Sequence, residues 1–434
     1  MQVTVETTSG LERRMVINVP ADKVNSEVDK RVKDTARRVR LDGFRPGKVP
    51  TSVVKQRFGQ SIRSEVLQDV LRDSYVAALT QEDITPAGYP RFEDVKDETG
   101  GDVQFAALFE VFPDIELGDF AQVAVEKPAV EISEANIDTM IDNLRQQRAE
   151  YLDVERAAAN DDKVIINFLG KIDGEAFEGG AAEDQELILG SGKMIPGFED
   201  GVVGMKPDEE KVIDVTFPDD YQNKELAGKT AQFDIAVKKI QEPKLPEMDA
   251  EFIETLGARE TTVEGFRTEV KENMAREARQ AITSKVKNAM IDQLLESSTF
   301  EAPSAMVDQE IQRLRQEAVQ QFGGAGQGFD PNQLPKELFT EQAERRVKTG
   351  LIFTEIAKKY EVKADDEAVR ARVDELASVY QDPQSVVDYY YNNQEQLSQV
   401  QSLVMEDAVV ERVLQDAKVT DAQVDYYKAV QKES

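Results

Sequence analysis

The chain has 434 residues, with 53 lysines and arginines against 84 aspartates and glutamates, a formal net charge of −31. That length exceeds a typical domain of roughly 100–200 residues and predicts two or three domains. Hydrophobic residues make up 40% and charged residues 32%, which excludes a wholly disordered chain, while the acidic excess opposes global adhesion to nucleic acid or anionic membrane.

Cysteine and histidine are both absent from the sequence. Disulfides, thiolate nucleophiles, histidine-dependent triads and Cys- or His-ligated metals go with them. Catalysis must then rest on carboxylates, lysine, hydroxyls, hard cations or the shape of an apolar pocket, and no cofactor or metal is expected. The start, Met1-Gln2-Val3-Thr4-Val5-Glu6, has neither a basic nor an apolar leader segment, and no run approaches ~18 apolar residues. A cytoplasmic location without membrane contact is the expectation.

In chain order, alternation at Val3, Val5 and again at Met15, Ile17, Val19 predicts two strands around a Ser9-Gly10 turn. Val24, Val28 and Val32 begin a helix at Ala21. Leu41–Pro50 interrupts it, and helical spacing resumes near Thr51. Residues 103–111 read as strand, so 1–115 is expected to be a small α+β domain. Ser133 caps a helix with Ile137, Met140, Ile141 and Leu144 on one face, within a linker at 116–149.

Residues 150–245 then carry short β-rich runs and tight-turn glycines, with Asp173-Gly174 as a hairpin signal. This segment is expected to be a compact antiparallel domain inserted into the rest. From 246 to 434 the chain reads as all-α. Thr261-Thr262-Val263-Glu264 fits a capping box. Apolar residues recur every four positions from Phe266 to Leu294, and a second helix carries Val307, Ile311, Leu314, Ala318 and Phe322 before the glycine-rich tip 323–328. Further amphipathic stretches are expected around Leu351–Tyr360, Ala368–Tyr380 and Leu397–Leu414. The fold class is thus multidomain α+β: an N-terminal α+β domain, an antiparallel β domain with a short helix, and a helical body.

Lys23 to Arg63 holds twelve basic residues and four acidic ones, a local +8 in a strongly acidic chain. This segregation is an electrostatic footprint for an anionic partner; pairing with acids elsewhere on the chain is the plainer alternative. Inside it lies Gly43-Phe44-Arg45-Pro46-Gly47-Lys48-Val49-Pro50, whose glycines and prolines shape a tight loop from which Phe44 and Arg45 project. An aromatic beside an arginine has the composition of an interface anchor.

The octapeptide is similar to the ribosome-docking signature Gly-Phe-Arg-x-Gly-x-x-Pro of the trigger factor family of nascent-chain chaperones. The resemblance implies docking beside the exit tunnel of the large ribosomal subunit. Gly43, Phe44, Arg45, Pro46, Gly47, Lys48 and Pro50 would form the docking loop. Phe44 and Arg45 would meet a ribosomal protein, and flanking basic residues would meet ribosomal RNA. The helical remainder would shield unfolded nascent polypeptides, and a homodimer off the ribosome is implied as well.

The middle segment reads Asn167-Phe168-Leu169-Gly170, Asp173-Gly174, Phe177-Glu178-Gly179, Leu189-Gly190, Met194-Ile195-Pro196-Gly197-Phe198-Glu199-Asp200-Gly201 and Phe217-Pro218-Asp219-Asp220-Tyr221, closing on Phe233-Asp234-Ile235. Its order and spacing resemble an FKBP-type peptidyl-prolyl isomerase across 160–242. By that resemblance Phe168, Phe177, Met194, Ile195, Phe198 and Phe233 line a proline pocket. The Ile195 N–H and the Tyr221 hydroxyl would hold peptide carbonyls, and Glu178 stands where such isomerases often carry aspartate. Phe198 replaces the usual pocket-floor tryptophan, as in trigger factors, and Gln185 falls where an aromatic usually sits. The plainer alternative is that these aromatics form only a β-domain core.

The Asn223 to Thr230 stretch imitates a phosphate loop but lacks its first glycine, and the acidic pairs lack calcium-loop spacing. The reading is therefore an ATP-independent, ribosome-associated chaperone with an inserted isomerase. The alternatives are a stand-alone prolyl isomerase on a helical scaffold and a holdase whose insert is inactive.

Overall fold

A computed structural model of the chain describes residues 2–42, 44–45, 47–97, 101–221, 223–321, 330–378, 380 and 382–431. Gly43, Pro46, Phe322 and the glycine-rich tip at 323–328, all singled out above, lie outside the described residues.

In chain order the elements are β1 (Gln2–Ser9), β2 (Glu12–Val19), α1 (Ala21–Arg38), α2 (Thr51–Glu82), β3 (Arg91–Asp97), β4 (Val103–Glu110) and β5 (Ala124–Ala129). They continue with α3 (Glu134–Gln147), β6 (Glu150–Val154), β7 (Lys163–Ile172), β8 (Glu175–Ile188), α4 (Phe198–Val202), β9 (Glu210–Thr216) and β10 (Thr230–Lys244). The last part holds α5 (Ala250–Thr255), α6 (Val263–Ser297), α7 (Ser304–Gln321), α8 (Glu337–Lys359), α9 (Asp366–Ala377), α10 (Pro383–Asn392), α11 (Gln394–Asp416), β11 (Lys418–Gln423) and α12 (Tyr426–Val430). The fold class is mixed α+β, with an antiparallel sheet in the middle segment and a predominantly helical C-terminal part. Within that part, the short β11 pairs with β5, which the helical periodicity does not announce.

The chain divides into two compact units, Met1–Lys127 with Ser284–Asp421, and Pro128–Thr283 with Ala422–Ser434. In the first unit, an antiparallel sheet ordered β1-β2-β4-β3 buries Met15, Ile17 and Val19 from β2 and Val103, Phe105, Ala107 and Phe109 from β4. Both sets follow the period of two that puts alternate side chains on one face. Val24, Val32 and Ala36 of α1 and Val54, Ile62, Val66 and Val70 of α2 close that core. The unit also contains helical cores. In one, Val307, Ile311 and Leu314 of α7 meet Ala343, Val347 and Leu351 of α8; the other joins α9, α10 and α11 through Val369, Val373, Val387, Val400 and Val404.

In the second unit, Ile137 and Ile141 of α3 pack with Ile253, with Phe266, Val270, Met274 and Ala278 of α6, and with Tyr426 of α12. Ser133 caps α3 with a reciprocal pair: its hydroxyl accepts the Asn136 N–H at 3.2 Å, and Asn136 Oδ1 accepts the Ser133 N–H at 3.0 Å. At the start of α6 the cap is one residue later than the Thr261–Glu264 box predicts. The Thr262 hydroxyl accepts the Gly265 N–H at 3.1 Å, leaving glycine rather than glutamate at the reciprocal position.

The same unit contains the sheet that builds the site. The long β10 pairs along one edge with β7, which pairs onward with β8. Along its other edge β10 pairs first with β9, through Thr230↔Thr216 to Ala236↔Glu210, and then with β6, through Ile240↔Val154 to Lys244↔Glu150. The strand that enters this sheet and the strand that leaves it are therefore neighbours. The β7–β8 turn is Asp173-Gly174 with φ of +52° and +85°, the left-handed pair that a two-residue hairpin requires.

Candidate functional site

Three strands and one short helix bring phenylalanines from distant positions together against the sheet. Phe168 of β7 lies opposite Ile235 of β10, and Phe233 of β10 lies opposite Gly170 of β7. Phe198, first residue of α4, is fully buried beneath them, 5.2 Å from Phe233 and 5.5 Å from Phe168 between ring centroids. Phe177 of β8 stands 6.1 Å from Phe233 and 5.9 Å from Phe217, both edge-to-face. The edge of one ring against the face of the next is the favoured contact of aromatic quadrupoles.

Glycine makes this closure sterically feasible. A Cβ on Gly170 would lie 2.7 Å from carbons of both Phe177 and Phe233, and one on Gly180 would lie 2.7 Å from Phe177. The Phe177 ring occupies the space those side chains would fill.

The rings wall a cavity of about 580 Å³. Phe168, Phe177, Glu178, Met194, Ile195, Phe198, Tyr221 and Phe233, the eight residues singled out from the sequence, all line it. Glu178 is exposed, and Tyr221, 36% exposed, sets its ring 4.8 Å from that of Phe217. Phe217, Leu226, Asn223, Pro196, Pro218 and Lys193 also line it, without having been assigned roles. Phe217 was findable: Ile213, Val215 and Phe217 continue one period-two face into the core. Gln185 is absent from the lining, and its side chain donates to the Glu186 carbonyl at 3.1 Å.

The wall at Met194 is carried by a turn at 190–194, whose N–H groups converge on the carboxylate of Glu199. Burial pushes the Glu199 carboxyl up, but N–H groups of Gly192, Met194 and Gly190 and the Ser191 hydroxyl outweigh it and hold the group below the ordinary glutamate value.

The second cluster lies in the first unit, on the α1–α2 hairpin. Phe44 is 39% exposed and Arg45, Gly47 and Lys48 are exposed, whereas Val49 is buried in the hairpin core. The Lys48 N–H returns to the Arg45 carbonyl at 2.9 Å, with Gly47 at φ +76°. Paired and unpaired cations are interspersed along the hairpin. Arg31 meets Asp69 at 2.7 Å, Lys55 meets Asp29 at 2.6 Å, Arg37 lies 3.5 Å from Asp34, and Arg63 pairs with Asp97. Arg38, Arg40, Arg45, Lys48 and Arg57 have no carboxylate partner among the described residues. Pairing with acids of the chain, the plainer alternative, thus accounts for only part of the basic segment.

Among the described residues no group of three acidic, cysteine or histidine side chains could hold a metal ion, and no helix is long and apolar enough to cross a membrane.

The aromatic cavity falls within residues 154–238, which match the family model of the FKBP-type peptidyl-prolyl cis-trans isomerase. Residues 1–144 match that of the bacterial trigger factor protein and 262–415 that of its C-terminus. The chain is 55% identical over 431 residues to the trigger factor of Marinobacter nauticus, covering 99% of both chains. It is 52% identical to those of Hahella chejuensis and Alcanivorax borkumensis, covering 99% of this chain and 96% and 98% of theirs. A solved structure of a trigger factor chaperone aligns with 19% identity and a TM-score of 0.49, over 96% of this chain and 99% of that one. The chain belongs to the trigger factor family of chaperones, with an FKBP-type isomerase domain in its middle.

Proposed function

We propose that this chain catalyses cis/trans isomerisation of X-Pro bonds in unfolded polypeptides emerging at the ribosome, shielding them without ATP. The observation that carries the catalytic part is the convergence of all eight predicted side chains on one aromatic-walled cavity. The barrier to X-Pro rotation, ~18–20 kcal/mol for an amide, comes from resonance that is lost when the bond twists. The twisted amide is less dipolar than the planar one. A dry pocket therefore disfavours the ground state more than the transition state, and no bond need be broken.

In this reading the proline ring enters between Phe168, Phe177, Phe198 and Phe233, with Met194 at the wall. The Ile195 N–H and Tyr221 hydroxyl hold flanking carbonyls, with Glu178 at the rim. The assay is relaxation of a Phe-Pro peptide from its cis-enriched state in the presence of the full chain. A rate equal to the uncatalysed one would favour a holdase with an inactive insert.

The docking part is supported by the exposed Phe44 and Arg45 on the loop between α1 and α2, and by the hairpin cations Arg38, Arg40, Arg45, Lys48 and Arg57, which have no carboxylate partner among the described residues. Gly43, Phe44, Arg45, Pro46, Gly47, Lys48 and Pro50 would contact the large subunit near its exit tunnel, a ribosomal protein at the tip and ribosomal RNA along the flanks. Domain limits of 1–115 for docking, 116–149 for the linker, 150–245 for the isomerase and 246–434 for the client-binding body fit this division of labour. The matched family segments, 1–144, 154–238 and 262–415, support that order. A cytoplasmic location and a homodimer away from the ribosome complete the proposal.

A further inference from the structure

One carboxylate fastens the whole 190–194 turn. Glu199, 8% exposed, accepts the N–H groups of Gly190 at 2.8 Å, Gly192 at 3.1 Å, Lys193 at 3.0 Å and Met194 at 3.2 Å, and the Ser191 hydroxyl at 3.2 Å. The remaining N–H of the turn, that of Ser191, goes to the Ile188 carbonyl at 3.3 Å. Every N–H from 190 to 194 is thus satisfied internally. The next, on Ile195, has no acceptor among the described residues.

We propose that Glu199 is a positioning residue for the isomerase site, consuming the donors of this turn so that Ile195 alone offers its N–H to the bound peptide. The proposal rests on the isomerase reading above. Its physical basis is donor accounting: an ionised carboxylate has about four lone-pair sites and no proton to misdirect, so it can gather four N–H groups at once. A carboxamide of the same shape has one acceptor oxygen, and its NH₂ would confront N–H donors. The turn would then loosen, Met194 would leave the wall, and freed amides would compete with Ile195 for the peptide carbonyl. Glu199 touches no substrate; it acts through the turn.

Full-length wild type, Glu199→Gln and the control Asp200→Asn are compared by hydrogen exchange and by prolyl isomerisation. In Glu199→Gln the peptide spanning 189–195 is expected to exchange faster, while peptides from β7 and β10 keep their protection. Its kcat/KM should fall on the order of tenfold or more, mainly through KM, because the ligand donor is misplaced rather than the apolar chamber destroyed. Asp200→Asn should match wild type in both measurements. An active wild type whose Glu199→Gln variant is equally active, or whose turn stays protected, overturns the positioning role. Loss of protection in β7 and β10 as well would make Glu199 a general stabiliser and also overturn it. An inactive wild type would remove the isomerase reading itself.

Discussion

Gly170 sits directly across the β7–β10 ladder from Phe233, and a methyl group there would stand 2.7 Å from the edge of that ring. The same methyl would also stand 2.7 Å from Phe177, so two rings would have to shift at once. Gly170→Ala is therefore expected to cost about 1–3 kcal/mol through overpacking. It should also lower prolyl isomerisation by moving Phe177 into the cavity. Urea unfolding and the peptide assay check both effects, and a variant as stable and as active as wild type would show that the rings can move aside.

Tyr75 is buried between Phe92 and Phe109, and its hydroxyl has no hydrogen-bond partner among the described residues. Burial pushes the phenol up to about 12. In the unfolded chain the group titrates near 10, so stability is intact below that pH and is lost progressively as pH rises from about 10 toward about 12. Tyr75→Phe removes an unpaired buried hydroxyl. It should leave stability at pH 7 unchanged or raise it by up to about 1–3 kcal/mol. It should also flatten the alkaline limb of the unfolding curve, which melts at a series of pH values would record.

Glu199 gives the opposite pH signature. Its carboxyl is held below the ordinary value near 4.5, so its stabilisation is complete above that value and disappears as pH falls through the lower folded one. Acid unfolding followed by Phe and Tyr fluorescence should therefore lose part of its pH dependence below about 4.5 in Glu199→Gln, with no change in slope between pH 5 and 8.

At the hairpin tip, replacing Phe44 and Arg45 together by alanine removes exposed side chains with no ion pair or ring contact among the described residues. The unfolding free energy should stay within about 0.5 kcal/mol of wild type, as urea unfolding would record. Co-sedimentation with ribosomes should fall sharply, and wild-type co-sedimentation should weaken steeply with added salt. Unchanged pelleting of the double variant would take the docking role away from this loop.

How much of this was legible in the sequence differs by element, for physical reasons. The Asp173-Gly174 hairpin and the Ser133 cap were readable because local backbone geometry alone demands those residues. The cavity residues were readable through their motif series, although the three-way contact among Phe168, Phe198 and Phe233 depends on pairing across the sheet. Two of the edge strands were not readable. β3, Arg-Phe-Glu-Asp-Val-Lys-Asp, and β6, Glu-Tyr-Leu-Asp-Val, are charged and largely exposed, and only a neighbouring strand makes them strands. The same holds for β11 beside β5. The Thr261–Glu264 box misled because two adjacent threonines offered two starts, and the apolar face of α6 selected the second. Glu199 was visible only as one acid in a motif, since nothing local shows that five donors fold back onto it.

The pairing of Glu150 with Lys244 has an architectural consequence. Antiparallel partners lie only ~5 Å apart, so the chain comes into the sheet and goes out again through a two-stranded neck. Everything between, cavity included, is a pendant that could be cut away and the stumps spliced with a few flexible residues. The spliced chain would lose its aromatic-walled cavity yet have no wide gap to bridge, which is the geometry by which one protein can come to carry another inside it.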